Sequence, residues 1–211
     1  MTTWHTNVIG VRQQAALAKL GPVLRAHGAY LAGGTALALQ LGHRRSVDLD
    51  FFVSSSGFDF AALERELTET LPFQSLGSEA NALHGKLHGV RVLVMKYEYL
   101  RLRRVRRCTS LGCDMAALDD IGTMKLAAIC HRRTKKDFVD LWALLNSGKS
   151  LSRLLRDFQK RFHVHDLAVV MRRLIYSDDV DDSRMPQMIG KIRWGAIKAD
   201  LRDRVNELRR K

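Results

Sequence analysis

Residues 31 to 52 read LAGGTALALQLGHRRSVDLDFF. In this stretch two aspartates, Asp48 and Asp50, flank one leucine inside an apolar run that reads as a strand. Residues i and i+2 of a strand point to one face. Their Cα atoms then lie about 6.6 Å apart, with both carboxylates on the same side. So placed, the two acids can converge on one hard cation, or on a pair of cations about 3.5–4 Å apart. Leu49, Phe51 and Val53 face the other way, into the core, and that alternation pins the register. The plainer reading is a strand with a solvated acidic face. Against it, aspartate is disfavoured in strands and like charges on one face repel.

Gly33 and Gly34 stand just upstream, between a strand and a helix. Glycine there lets the backbone approach an anion closely, and the N-terminus of a helix over 35–41 offers free N–H groups to a phosphate. Thr35 can cap that helix or give its hydroxyl to the phosphate. A Gly-Gly pair alone often only makes a turn. Followed by thirteen residues and then Asp-x-Asp, it joins a phosphate cradle to a metal site across one helix.

The chain has 211 residues, with 35 Lys+Arg against 22 Asp+Glu and a net charge of +13. Such an excess favours a polyanionic partner, most simply nucleic acid; a solvated basic surface or an acidic protein partner is the alternative. Part of the charge is concentrated in LRLRRVRR at 100–107, which holds Arg101, Arg103, Arg104, Arg106 and Arg107, and in the closing LRRK. Neither run interleaves aromatics, so phosphate contact is indicated rather than base stacking. No apolar stretch approaches the ~20 residues needed to span a bilayer. MTTWHTNVIG lacks a basic start followed by an apolar core. The expectation is a cytoplasmic protein with no membrane partner. Cys108, Cys113 and Cys130 give no even disulfide framework, and with His131 their spacing fits a zinc site poorly.

The elements that must position these residues follow from periodicity. A helix over 11–28 is expected to break or kink near Gly21-Pro22. AYLAGG is a short strand, TALALQLG a short apolar helix, and SVDLDFFV a strand bounded by SSSG. FDFAALERELTETL places Phe60, Leu63, Leu67 and Leu71 on one helical face. KLHGVRVLVMKYEYL reads as a hairpin around His88-Gly89. From Asp114 onward the period turns helical, in MAALDDIGTMKLAAICHR, in KKDFVDLWALLNSG, and at about 150–162, 165–177 and 194–209. The expectation is an α+β protein. A mixed sheet at 1–113 carries the aspartates, a helical bundle follows at 114–211, and a cleft lies between them.

GG, thirteen residues, then DLD resembles the signature of the DNA polymerase beta-like nucleotidyltransferases. GGTALALQLGHRRSVDLDFF resembles one branch of them, the AbiEii/AbiGii-type toxin family. LDDIGTMKLAAICHRRTKKDFVDLWALL at 118–145 is similar to that family's later motifs, and DDVDDSRMPQMIGKIRWGAIK to the C-terminal helical part of related chains. The likeness runs from about residue 10 to 205. It implies a polymerase-beta-like core and an enzyme that uses Mg²⁺ to transfer a nucleoside monophosphate from an NTP, releasing pyrophosphate. It also implies a toxin of a two-gene pair with a cognate antitoxin, and, as for some members, addition of nucleotides to the 3′ end of tRNA. A protein or small-molecule hydroxyl as acceptor is the first rival, and a non-catalytic nucleotide- or RNA-binding module the second.

Residue by residue, the resemblance assigns Asp48 and Asp50 to the metal and Gly33, Gly34 and Thr35 to the phosphate turn. Arg44 and Ser46 are placed to reach the triphosphate, while His43 shapes that loop. Lys125, a charge on a mostly apolar helix, would contact the nucleotide phosphates rather than snorkel to solvent. Asp137, with Asp140 second, would be an active-site carboxylate or a partner that orients Lys125. By their charge alone, the five arginines of 100–107 would line the acceptor's approach or form a simple charged rim. The departure is the third metal-binding acid that many such enzymes carry on the strand after the hairpin: the equivalent position here is Leu93, and the nearest acid, Glu98, falls at the strand's end.

Overall fold

The computed structural model describes residues 3–54 and 57–210. Met1, Thr2, Ser55, Ser56 and Lys211, and with them part of the expected SSSG turn and of the basic ends, lie outside the described residues. The strands are β1 Tyr30–Leu31, β2 Leu49–Val53, β3 Phe73–Glu79, β4 Ala82–Leu87, β5 Val90–Lys96, β6 Arg106–Cys108 and β7 Cys113–Met115. They form one sheet in the order β3-β4-β5-β2-β1-β7-β6. The β2–β5 and β1–β7 pairs run parallel and the rest antiparallel, which gives the expected mixed sheet. The helices are α1 Val11–Ala26, α2 Gly33–Leu41, α3 Phe60–Thr70, α4 Leu118–His131, α5 Lys135–Asn146, α6 Leu151–Phe162, α7 Ala168–Ile175 and α8 Trp194–Arg209.

Strand alternation sorts the sheet into two faces. Leu49, Phe51, Val53, Val92 and Val94 are buried together with Leu17, Leu20 and Leu24 of α1 and Leu63 and Leu67 of α3. Their neighbours Asp50, Phe52, Leu93 and Met95 face the opposite side, toward the helical half. A second apolar cluster holds that half together, from Leu126 and Ile129 of α4 through Phe138, Leu155 and Leu174 to Leu201 and Val205 of α8. Residue 114, where the period changes, lies within β7, and β7 pairs with β1 through Leu31 and Met115.

Three local expectations are corrected. α1 runs through Gly21-Pro22 without a break. Proline removes one intrahelical donor, but Leu17, Leu20 and Leu24 on both sides of it are fully buried and hold the helix to the sheet. The absence of a Cβ is also used there, since one on Gly21 would lie 2.8 Å from the Leu111 carbonyl oxygen. β3 is missed because FQSLGSE has no apolar alternation, and β6 because RRC reads as part of a charge run. Cys108 and Cys113 turn out to be cross-strand partners, both buried with free thiols. Burial pushes the Cys113 thiol up to about 12, so it behaves as a small inert core residue.

One buried carboxylate joins the two halves. Asp120, on α4, accepts from the backbone N–H groups of Leu102 and Arg103 at 2.9 and 3.0 Å, and from Arg161 Nη1 of α6 at 2.9 Å. Arg161 is wholly buried, with Nη1 also donating to Thr123 at 2.9 Å. Removing one partner of a buried pair strands the other's charge. Asp120→Ala should therefore lower unfolding stability by about 3–5 kcal/mol. Arg161→Met should cost less, because the aspartate keeps its two backbone donors. Urea midpoints of the two variants against wild type check this ranking.

Candidate functional site

Between the sheet and the helical half lies a cleft of about 1260 Å³. Its floor is the open face of β2 and β5. Asp48 precedes β2, and Asp50 and Phe52 lie two and four residues further on. Opposite Asp50, on β5, the paired residue is Leu93. The sequence expectation for this register is met: β5 offers no carboxylate here, and Glu98 sits at the surface, paired with Lys96. Among the described residues no group of three or more His, Cys, Asp or Glu is placed to hold a metal ion. The available donors are the two aspartates. Asp48 accepts from Arg91 Nε at 2.9 Å through a guanidinium that is largely in solvent. Asp50 is raised above the ordinary carboxylate value, first by burial and then by the neighbouring Asp48 charge, while Lys125 and Arg132 oppose the shift.

The glycine pair is needed for space. Gly33 has φ +63°, a left-handed value, and a Cβ there would lie 2.9 Å from Asp50 Oδ2. A Cβ on Gly34 would lie 2.2 Å from Arg44 Nη2. The two glycines thus let the start of α2 sit against the site's acid and its arginine. Thr35 is buried and donates its hydroxyl to the Asp48 carbonyl; Ser46 Oγ, 2.8 Å away, donates to Thr35 in turn. Both hydroxyls fasten the loop before β2 to α2, at the cleft wall.

Behind the wall is a buried charge network. Asp140 is fully buried and accepts from Arg44 Nε at 2.6 Å and Arg44 Nη2 at 2.9 Å. Lys125 Nζ approaches its Oδ2 at 2.6 Å and Asp137 Oδ1 at 3.0 Å. His43 Nε2 lies 2.8 Å from Asp140 Oδ1. A carboxylate only accepts, so Nε2 carries the proton. Asp137 also receives Arg132 Nη2 at 2.9 Å and Thr134 Oγ1 at 2.8 Å. Burial opposes both carboxylate charges. For Asp137 it is outweighed by the Arg132 hydrogen bond and Lys125, which bring it to about 2. For Asp140 it is outweighed by Lys125 and Arg44, which bring it well below the ordinary range. Arg44's third nitrogen donates to the Arg45 carbonyl at 2.9 Å, so each of its three nitrogens is bonded within the protein. Lys125 reaches the cleft lining from between the two aspartates.

Sequence reasoning did not anticipate the rest of the lining. Arg45, Arg132, Lys136 and Arg184 add cations to the aspartate end. Phe52, Tyr97, Tyr99 and Phe162 close the other end as a ladder of rings: Phe52 stacks on Tyr97 at 4.6 Å, and Tyr99 meets Phe162 edge-on at 4.7 Å. Alternation along β2 could have placed Phe52 with the aspartates, but no period predicts that α6 comes to meet it. Residues 184–187 reach the cleft because their segment runs along the loop 43–46. Arg45 N–H donates to the Gln187 carbonyl at 2.8 Å, and Ile189 N–H to the His43 carbonyl at 2.9 Å. The arginines of 100–107 do not line the cleft. Arg103 pairs with Asp119 and Asp157, Arg107 with Asp114, Arg106 donates to Gln40, and Arg101 lies over Tyr30.

Comparison with known proteins gives the same picture. The profile of a family described as nucleotidyl transferase AbiEii toxin, type IV toxin–antitoxin system, matches residues 15–112. A protein of Aquifex aeolicus (strain VF5), described as uncharacterized, is 33% identical over 169 residues, covering 79% of this chain and 82% of that protein. Among solved structures, JHP933 from Helicobacter pylori superposes with a TM-score of 0.58 at 18% identity, over 98% of this chain and 90% of that one. MenT4, a nucleotidyltransferase toxin from Mycobacterium tuberculosis H37Rv, superposes with a TM-score of 0.59 at 16% identity, over 93% of this chain and 82% of that one. These two likenesses are of fold.

The two kinds of acid in the site make opposite stability predictions. The Asp50 carboxyl is raised in the folded state. Its contribution is therefore full below the unfolded value and lost as pH rises through the folded one, so at neutral pH the charged group is a cost. Asp50→Asn should raise the melting temperature at pH 7 by a few degrees. Asp137 is lowered from its ordinary 3.8 to about 2. Its contribution is present above the unfolded value and lost as pH falls through that interval. Asp137→Asn should lower the melting temperature at pH 7 and flatten its dependence between about pH 4 and 2. Thermal melts from pH 2 to 8 on the two variants test both signs.

Proposed function

The chain belongs to the AbiEii nucleotidyl transferase toxin family, and from that premise we propose that it uses Mg²⁺ to transfer a nucleoside monophosphate from an NTP to the 3′ end of a tRNA, as the toxin of a toxin–antitoxin pair. The observation that carries the reading is the pair Asp48 and Asp50 opening on a cation-lined cleft beside the Gly33-Gly34 turn. The donor set suits a small hard cation. Mg²⁺ binds through one or two carboxylates and completes its octahedron with water and substrate phosphates. Burial, and after it the Asp48 charge, raises Asp50, and a positive ion between the acids would relieve both. Asp48 and Asp50 would hold that ion, which when bound supplies Lewis-acid neutralisation of charge at the transferring phosphoryl group.

The other residues bind and position. Lys125 is held with its charge at the cleft wall by Asp137 and Asp140, ready to meet a phosphate oxygen. Lys136, Arg132 and Arg45 line the same end and would neutralise the triphosphate tail, as such transfers require. Arg44 acts through Asp140, which it anchors, and Thr35 and Ser46 act through the loop that presents Asp48. The +13 net charge agrees with an RNA acceptor, and the cleft volume leaves room for an acceptor end beside a nucleotide. The family description names a type IV toxin–antitoxin system, which supports a cognate antitoxin; a cytoplasmic site of action follows if the target is tRNA.

The test supplies the purified protein with Mg²⁺ and each labelled NTP separately, with total tRNA and total cell protein as competing acceptors. Label should appear at tRNA 3′ ends. It should vanish with Asp48→Ala or Asp50→Ala and survive Glu98→Gln. Label in protein instead of RNA would move the acceptor to a protein hydroxyl, and wild-type transfer by either aspartate variant would remove the metal assignment.

A further inference from the structure

α6 is amphipathic, and its two faces differ in kind. Leu151, Leu154, Leu155, Phe158 and Arg161 are buried. Arg153, Arg156 and Lys160 stand on the opposite face, all exposed, and His163 at the helix end is exposed beyond them. At 1.5 Å per residue the row from 153 to 163 is about 15 Å long. The spacings of three and four residues among Arg153, Arg156 and Lys160 make each cation a neighbour of the next, and like charges so spaced destabilise a helix. Among the described residues no carboxylate pairs with these three side chains. The helix has a single acid, Asp157, and it is turned aside to Arg103 at 3.5 Å. Surfaces that serve only solubility intersperse both signs; this row carries one.

The row also leads somewhere. Phe158, Phe162 and Val164, from the end of α6 and just past it, line the aromatic end of the cleft. The stripe therefore starts at the outer surface and finishes at the mouth of the candidate active site. In the arginine cluster at 100–107, the obvious candidate in the sequence, Arg101, Arg103, Arg106 and Arg107 meet partners within the chain, while Arg104 is exposed. Resting on the reading that the acceptor is RNA, we propose that the acceptor lies along the outer face of α6, its backbone phosphates on Arg153, Arg156 and Lys160, and that its 3′ end passes Phe162 into the cleft. The contacts are to phosphates and carry no sequence information, so this surface sets the position of the RNA end, and which end is used is decided inside the cleft.

Binding of total tRNA by full-length protein is measured over a range of salt concentrations, for wild type, for the triple variant Arg153→Gln/Arg156→Gln/Lys160→Gln, and for Arg107→Gln as a control whose guanidinium is occupied by Asp114. Each phosphate contact contributes about 0.7–0.9 to the slope of log affinity against log salt. The triple variant should therefore lose about 2–3 from that slope, with NTP binding unchanged and a melting temperature equal to or above wild type, while Arg107→Gln stays near wild type. An unchanged slope in the triple variant overturns the proposal. So does polyglutamate displacing tRNA as well as unlabelled tRNA does, which would mark a face for acidic protein. Wild-type protein that binds no tRNA overturns it too, and in that case the RNA reading of the acceptor fails with it, a result visible before any variant is made.

Discussion

A buried carboxylate with three cationic or polar partners from two other parts of the chain is the constraint on which the site depends. Asp140 on α5 accepts from Arg44 and His43 in the loop before β2, and from Lys125 on α4. An isolated charge in that position would be very costly; with paired and hydrogen-bonded partners it is retained. Its removal would leave Arg44 as a buried cation without a carboxylate and Lys125 with Asp137 alone, a larger loss than that of the pair as a whole. The same bonds fix the loop that presents Asp48 and Asp50. The sheet's acids and the helices' lysine are therefore held in one geometry by a group that itself faces no solvent.

The cleft owes its form to a division of labour along one strand. Odd positions of β2 pack against α1 and α3, and even positions are left to the cleft. Since side chains alternate strictly, the packing that stabilises the domain also aims Asp50 and Phe52 outward. Asp50 is left partly desolvated beside Asp48, which costs stability in the free protein.

Much of this was legible in the sequence, and the limits have physical causes. Strong period-2 and period-3.6 patterns located β2, β5 and α3 through α8, because burial of one face dictates the pattern. The Leu93 register could be read because β5 alternates cleanly. What escaped was whatever depends on distant segments meeting. Arg44 and Asp140 are 96 residues apart, and nothing local in either segment announces the pair. The arginines of 100–107 were visible as a charge run, yet their intramolecular partners Asp114, Asp119 and Asp157 were not. The basic row on α6 is no denser in sequence than many solvated helices, and becomes distinctive only once its lack of acidic partners and its end at the cleft are known.

The strand-like contact between Arg44 and Met188, flanked by hydrogen bonds from Arg45 to Gln187 and from Ile189 to His43, bears on when the site first exists. The loop that leads into β2 and carries Asp48 is completed by a segment synthesised some 140 residues later. A nascent chain still held at the ribosome has β2, the glycine turn and even Lys125 before it has residues 184–189. Closing so long a loop is also slow relative to local helix formation. The cleft wall is thus assembled only after residues 184–189 have emerged, and translation products that stop before them lack the wall against which the loop is set.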